Sequence, residues 1–210
     1  HRTAGPEPLA LPPAYYDEGF GIIGEVLGSM CEVSQSVQTN ATLIDDRWCE
    51  LFSRHRVRVG VSIDGPAAIH DRHRRTRSGR GTHAQAMRGL ALLRRHRVSH
   101  HTISVVTAEA LDHADAIHAF FRDQDIHEVG FNFDEAEGSH QASSIAHRED
   151  EHRSFIERML DHMIASGGAY QVRELASAFS LIALARRAGE VALAGGLPDP
   201  RVGQRQLAVV

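Results

Sequence analysis

Short runs of period-two apolar residues, each followed by a stretch with helical spacing, constrain this chain more than any other feature. Val59, Val61 and Ile63 alternate over Arg58 to Ile63, and similar strand-like runs cover Val33 to Gln38, Thr102 to Val106 and Glu128 to Phe133. Between them the spacing predicts helices over Ala14 to Gly28, Asp45 to His55, Leu111 to Arg122 and from Thr82, as N-cap, to Arg95. Arg72 to Gly81 reads as a loop. Two further helices are expected near Glu149 to Ala165 and Val172 to Ala188, with linker after them. Such alternation predicts a parallel sheet or barrel with right-handed crossovers.

In that architecture the chemistry gathers at the carboxyl ends of the strands. The four ends are polar: Gln38-Thr39-Asn40, Ser62-Ile63-Asp64-Gly65, Ser104 to Thr107, and Asn132 to Glu135. They are expected to converge on one face.

Composition narrows the function classes. The 23 basic residues are all arginine, against 27 acidic ones, giving a net charge of −4 that argues against a dedicated nucleic-acid binder. Without lysine, neither Schiff-base nor P-loop lysine chemistry is available. The longest apolar stretch, Leu175 to Ala185, has eleven residues including two serines, short of the ~20 that span a bilayer. No signal peptide is visible. Two cysteines, Cys31 and Cys49, make neither a disulfide framework nor a zinc knuckle, and the expected compartment is the cytoplasm. Among 15 histidines, His70, His73 and the pair His100-His101 lack the His-Glu-x2-His arrangement of a helical zinc site, so no metal site is expected in this chain. A start at His1 and an uncapped end at Val210 read as a segment of a longer protein.

Three stretches carry a resemblance: Gln38 to Trp48 (QTNATLIDDRW), Val59 to His83 (VGVSIDGPAAIHDRHRRTRSGRGTH) and Gly130 to Ser144 (GFNFDEAEGSHQASS). In family order they resemble the radical SAM enzymes of the anaerobic sulfatase-maturase-like branch, usually a radical SAM barrel followed by a SPASM domain. The third stretch looks closest to the cyclophane-forming peptide maturases. The resemblance implies an α/β fold, a partial (β/α)6 barrel of TIM-like type incomplete at both ends. It divides the chain into the barrel core over 1–148, a helical segment over 149–190 and a linker over 191–210.

It also implies a site. Ser62 and Arg74, twelve positions apart with His70 and Asp71 between, match the family's pair on the carboxylate of S-adenosylmethionine; a guanidinium fork suits a carboxylate. Gln38 and Asn40 match a tip facing the cofactor, although Ala41 stands where glycine is usual. Asn132 falls where adenine and substrate are met, at what reads as the sixth-strand tip. Asp134 or Glu135 is placed to take a proton. Gly5, Glu7 and Pro8 resemble the turn meeting the cofactor's amino group, with Pro6 inserted.

What the resemblance implies for function is hydrogen abstraction from a peptide side chain by a 5′-deoxyadenosyl radical, leaving a cross-link or an oxidised residue. The partners implied are a ribosomally made precursor peptide or protein and a reductant such as flavodoxin or ferredoxin, with neither nucleic acid nor membrane. The [4Fe–4S] cluster ligands, a Cys-x3-Cys-x2-Cys run, match nothing here and are expected upstream of His1, so this chain alone is expected to be inactive. Two alternatives stay open: a non-catalytic barrel binding a peptide or partner, and an unrelated barrel enzyme using the arginine loop as an anion clamp.

Overall fold

A computed structural model describes residues 7–134, 144–193 and 207–209. After a 3-10 turn at Pro8–Ala10 come α1 (Pro13–Leu27), β1 (Val33–Thr39), α2 (Asp46–Arg54), β2 (Arg58–Ser62), α3 (Ala67–His73), α4 (His83–Arg95), β3 (His100–Val106), α5 (Ala108–Leu111), α6 (Ala114–Asp123) and β4 (Glu128–Phe133). The chain continues with α7 (Glu149–Ala165), β5 (Gln171–Val172), α8 (Arg173–Leu193) and β6 (Leu207–Val209). The sheet order is β5-β4-β3-β2-β1-β6, parallel at every pairing. This is an α/β fold of partial TIM-like barrel type.

Alternation along each strand divides its side chains between two faces. Val59, Val61, Ile63, Val129 and Phe131 enter the main core, against Leu90 and Leu93 of α4, Ile117 and Phe121 of α6, and Phe155 of α7. Each such side chain contributes ~1.5–3 kcal/mol by leaving water. The rings of Phe131 and Phe155 meet edge-on at 5.3 Å, fixing α7 to β4. At the other end, Trp48 of α2 stacks on Phe52 and takes the edge of Tyr16 from α1, both at 5.5 Å. Asp45 caps α2 by accepting from the Trp48 amide at 3.0 Å.

Four differences from the expected elements have local causes. Part of the arginine loop is helical: α3 starts after Pro66 and ends at His73, too short for a readable apolar stripe. The helix expected over Leu111 to Arg122 is two, α5 and α6, because the His113 amide turns back to the Ala110 carbonyl. Strand β5, two residues long, lies beyond β4 and begins the stretch expected to be helical from Val172. The expected linker over 191–210 contains the end of α8 and strand β6, which pairs with β1 at Val33–Gln35. Among the described residues, Ser36–Thr39 have no strand partner on that side.

Candidate active site

The concave face of the sheet carries the residues of opposite parity. Register aligns Gln38 with Gly60 and Gly60 with His101, then Ser62 with Ile103, Ile103 with Gly130, and Val105 with Asn132. Gln38, Ser62 and Asn132 therefore share one face, as their strand-end positions predicted. Two glycines clear it. A Cβ at Gly60 would lie 3.2 Å from His101 Nε2 and from Ile103 Cδ1, and one at Gly130 would lie 2.5 Å from Arg173 Cζ. A cavity of about 920 Å³ runs from α1 around β1, lined by Tyr15, Phe20, Gln38, Gly60, His101 and Ile103. That volume suits a small-molecule ligand.

The amino-terminal turn closes onto the β1 tip through Glu7. One carboxylate oxygen accepts from Thr39 Oγ1 and from the Leu9 amide, and the other accepts from the Asn40 amide at 3.0 Å. Pro8 accepts from the Tyr16 hydroxyl at 3.0 Å, which ties the turn to α1. Asn40 turns its side chain back, Oδ1 accepting from the Thr42 amide and hydroxyl at 2.9 and 2.7 Å. Ala41, where glycine is usual, takes φ 60° and is buried, so the alanine adopts the left-handed conformation itself.

Arg74, the expected carboxylate ligand, is engaged with a residue of the chain itself. Its Nε and Nη2 donate to the two oxygens of Asp64 at 2.6 and 3.0 Å, and Asp64 Oδ1 also accepts from the Val105 amide at 2.8 Å. The fork is filled by a carboxylate of the protein. Between them His70, 1% exposed, accepts at Nδ1 from the Asp64 amide at 3.3 Å. Its proton is thereby assigned to Nε2, 3.2 Å from Thr82 Oγ1, and that hydroxyl donates to the Arg74 carbonyl at 2.9 Å. Burial pushes the His70 pKa down to about 4, so the ring is neutral. Asp71 accepts from the His83 amide at 2.8 Å and caps α4, the task expected of Thr82. Gly65, at φ 126°, turns the chain after β2 as Gly65-Pro66 predicted.

Asn132 accepts from Arg173 Nη2 at 3.2 Å. Asp134 accepts from the Ser144 amide at 3.1 Å, and its own amide donates to the Val106 carbonyl at 3.0 Å. Gly5 and Glu135 lie outside the described residues. Two residues on this face had no place expected there: Arg173, and His101, which the sequence offered only beside His100 as a metal ligand. Arg173 is held by Glu174 at 2.8 Å, and Glu174 in turn accepts from the Phe131 amide at 2.9 Å. His101 lines the cavity with Nδ1 buried and without a hydrogen-bond partner; burial, then Arg58, depresses its pKa. Gly60 and Gly130, glycines inside strands, were the signal available for both.

The cysteines are placed elsewhere. Cys49 is buried in α2, its thiol pushed up to about 11 by burial with Asp46 and Asp45 beside it, and Cys31 is half-buried after α1. No group of three metal-ligating side chains occurs among the described residues. No described helix is long and apolar enough to cross a membrane.

Comparison with known proteins extends these observations. No family model matches. The chain is 40% identical over 183 residues to an uncharacterised protein of Synechocystis sp., covering 84% of this chain and 46% of that one. It is 38% identical over 114 residues to the serine-type anaerobic sulfatase-maturating enzyme of Klebsiella aerogenes, 54% of this chain and 28% of that enzyme. The match thus takes in less than half of each relative's length. Among solved structures, native anSMEcpe with bound AdoMet and Cp18Cys peptide superposes at TM-score 0.71 and 23% identity, over 81% of this chain and 49% of that one.

Proposed function

We propose that this relative of the anaerobic sulfatase-maturating enzymes binds S-adenosylmethionine across its strand tips and acts on a peptide. The observation carrying the reading is the shared face of Gln38, Ser62 and Asn132, cleared by Gly60 and Gly130 beside a cavity of about 920 Å³. Relatives named for maturing sulfatases, and a structural neighbour solved with AdoMet and a peptide, support it. Bound there, and given one electron with methionine as the leaving group, the cofactor would supply radical chemistry that takes hydrogen from a peptide side chain towards a cross-link or an oxidised residue.

The residues of this chain bind and orient. The Ser62 hydroxyl, at the β2 tip, donates to the cofactor's carboxylate, while Gln38 and Asn132 flank it. Glu7 and Pro8 form the turn that meets its amino group, and Asn40 shapes the tip beside them. Arg74 contributes by holding the loop that follows Ser62, through Asp64. Asp134 follows the β4 tip as a proton acceptor, the role the resemblance also gives Glu135. The two cysteines do not fit as cluster ligands: one is in a buried helix, the other half-buried before β1, and no triad accompanies them. The cluster and the reductant that serves it are therefore assigned to elements other than these residues, and no step is derived through them.

The test is a calorimetric titration of the anaerobically purified protein with S-adenosylmethionine. Saturable binding is expected, with Ser62→Ala weakening it about fivefold, the cost of one hydrogen bond. Absence of binding by the wild type overturns the reading. The cysteine content favours a second reading, a peptide-binding barrel without radical chemistry. Iron analysis of the native protein separates the two.

A further inference from the structure

The sequence loop after α3 is an ordered basic hairpin. The Thr76 amide donates to the Arg80 carbonyl at 2.8 Å, and the Gly79 amide, at φ 82°, to the Thr76 carbonyl at 2.9 Å. Thr76 Oγ1 accepts from the Arg80 amide at 3.1 Å, and Arg75 bridges to Gly81 across the base. Five arginines fall between positions 72 and 80 in a chain whose net charge is −4. Two are engaged internally: Arg74 with Asp64, Arg75 with the Asp71 carbonyl. Arg72, Arg77 and Arg80 are exposed and have no hydrogen bond or ion pair among the described residues.

A second feature adjoins Arg72. A cavity of about 290 Å³ opens between α3 and the start of α6, with Arg72 at its wall and Pro66, Ile69 and Ala116 supplying apolar surface. Its one carboxylate, Glu109, is bound by His73 at 2.7 Å and by the Thr107 hydroxyl at 3.4 Å. Pro66 follows the β2 tip and Thr107 the β3 tip, so the cavity stands on the rim of the candidate active site, and the hairpin follows α3, which supplies its wall.

We propose that this hairpin and cavity dock an acidic segment of the peptide substrate, its carboxylates on Arg72, Arg77 and Arg80 and an intervening aliphatic side chain in the cavity. The proposal rests on the peptide-modifying reading and names the substrate's chemistry. Planar guanidinium groups on a backbone already ordered lose little entropy in meeting carboxylates. A nucleic acid fits less well. The cavity offers no phenylalanine, tyrosine or tryptophan for base stacking, and an extended polyanion meets the net negative surface beyond the hairpin.

Fluorescence anisotropy with the whole protein tests it, using a labelled hexapeptide of glutamate and leucine, its glutamine counterpart and a labelled single-stranded hexanucleotide. The glutamate peptide is expected to bind saturably and the glutamine peptide about tenfold more weakly. The triple variant Arg72→Gln, Arg77→Gln, Arg80→Gln loses about tenfold, whereas the charge-matched triple Arg88→Gln, Arg122→Gln, Arg153→Gln changes less than about twofold. Ala116→Trp, which fills the cavity without changing charge, also weakens binding. Equal loss in both triples, equal binding of the glutamine peptide, no saturable binding, or tighter binding of the oligonucleotide through the same arginines overturns the proposal. Titration of the same preparation with S-adenosylmethionine distinguishes that failure from failure of the radical SAM reading.

Discussion

Arg74 and Asp64 form a two-toothed ion pair, Nε to Oδ2 at 2.6 Å and Nη2 to Oδ1 at 3.0 Å, with only 7% of the Asp64 side chain exposed. The same carboxylate accepts from the Val105 amide, so one aspartate joins the carboxyl ends of β2, α3 and β3. The residues that make this stretch recognisable thus build the loop before they meet any ligand. Ser62 alone among them stands on the concave face.

Removing Arg74 strands a buried carboxylate. Arg74→Ala is expected to destabilise the protein by about 3–5 kcal/mol, because breaking a buried pair leaves its partner uncompensated. Arg77→Ala, on the exposed hairpin, should stay within about 0.5 kcal/mol. Urea denaturation compares them, and equal midpoints would show the Asp64 pair to be dispensable.

The neutral His70 ring makes stability depend on acid. Its folded pKa, about 4, lies below the unfolded value of 6.5, so the unfolded chain binds the extra proton as pH falls between those values. Stability contributed here is complete above about pH 6.5 and lost progressively down to pH 4, by roughly 3 kcal/mol in all. His83, whose ring edge faces His70 at 5.4 Å and whose pKa burial also lowers, acts in the same direction; Asp64 and Asp71 oppose it and Arg74 reinforces it. Nuclear magnetic resonance should show no His70 titration between pH 5 and 8. A midpoint near 6.5 would contradict the buried, neutral assignment.

Gly81 has no room for a methyl group. A Cβ there would fall 2.1 Å from Asp71 Cγ, and the Asp71 carboxylate is the cap of α4. Gly81→Ala should swing that side chain away and cost about 1 kcal/mol, the usual worth of a cap. Asp71→Ala should cost a similar amount, and the double variant no more than either alone. Additive losses in thermal denaturation would place the two effects apart.

Gly89 and Ala41 touch where α4 crosses the β1 tip. A Cβ on Gly89 would lie 2.2 Å from the Ala41 carbonyl oxygen, a backbone atom that moves only with the whole turn. Gly89→Ala is expected to destabilise by about 1–3 kcal/mol despite its better helix propensity. Ala41→Gly relieves a left-handed alanine but empties a buried methyl site, so these terms nearly cancel, within about 1 kcal/mol. It should not rescue Gly89→Ala, since the oxygen remains. Rescue would mean that the methyl contact at 3.0 Å is the one that matters.

The order of strands and helices was legible because β2 and β4 place valine, isoleucine or phenylalanine at alternate positions against one helical layer. Glu128–Phe133 and Glu149–Ala165 even have their expected limits. Elements too short for a period, α3 and β5, were not. Neither was the partner of Arg74: a carboxylate ten positions earlier in the chain leaves no periodic trace, and a ligand contact was the more specific expectation. The places of Arg173 and His101 were hidden for a related reason, since what makes room for them is the absence of a side chain on Gly130 and Gly60, on neighbouring strands or elements distant in sequence.

The His70 node has a consequence for how such a loop can change. Its ring accepts from Asp64, donates toward Thr82 and, through that hydroxyl, fixes the Arg74 carbonyl, while the neighbouring Asp71 holds the first amide of α4. These contacts close a circuit in which every member satisfies another. Grafting the basic hairpin from one relative into another therefore has to move Asp64 through His83 as one cassette; exchanging the tip alone keeps the frame, but exchanging any single corner leaves two of the others without their bonds.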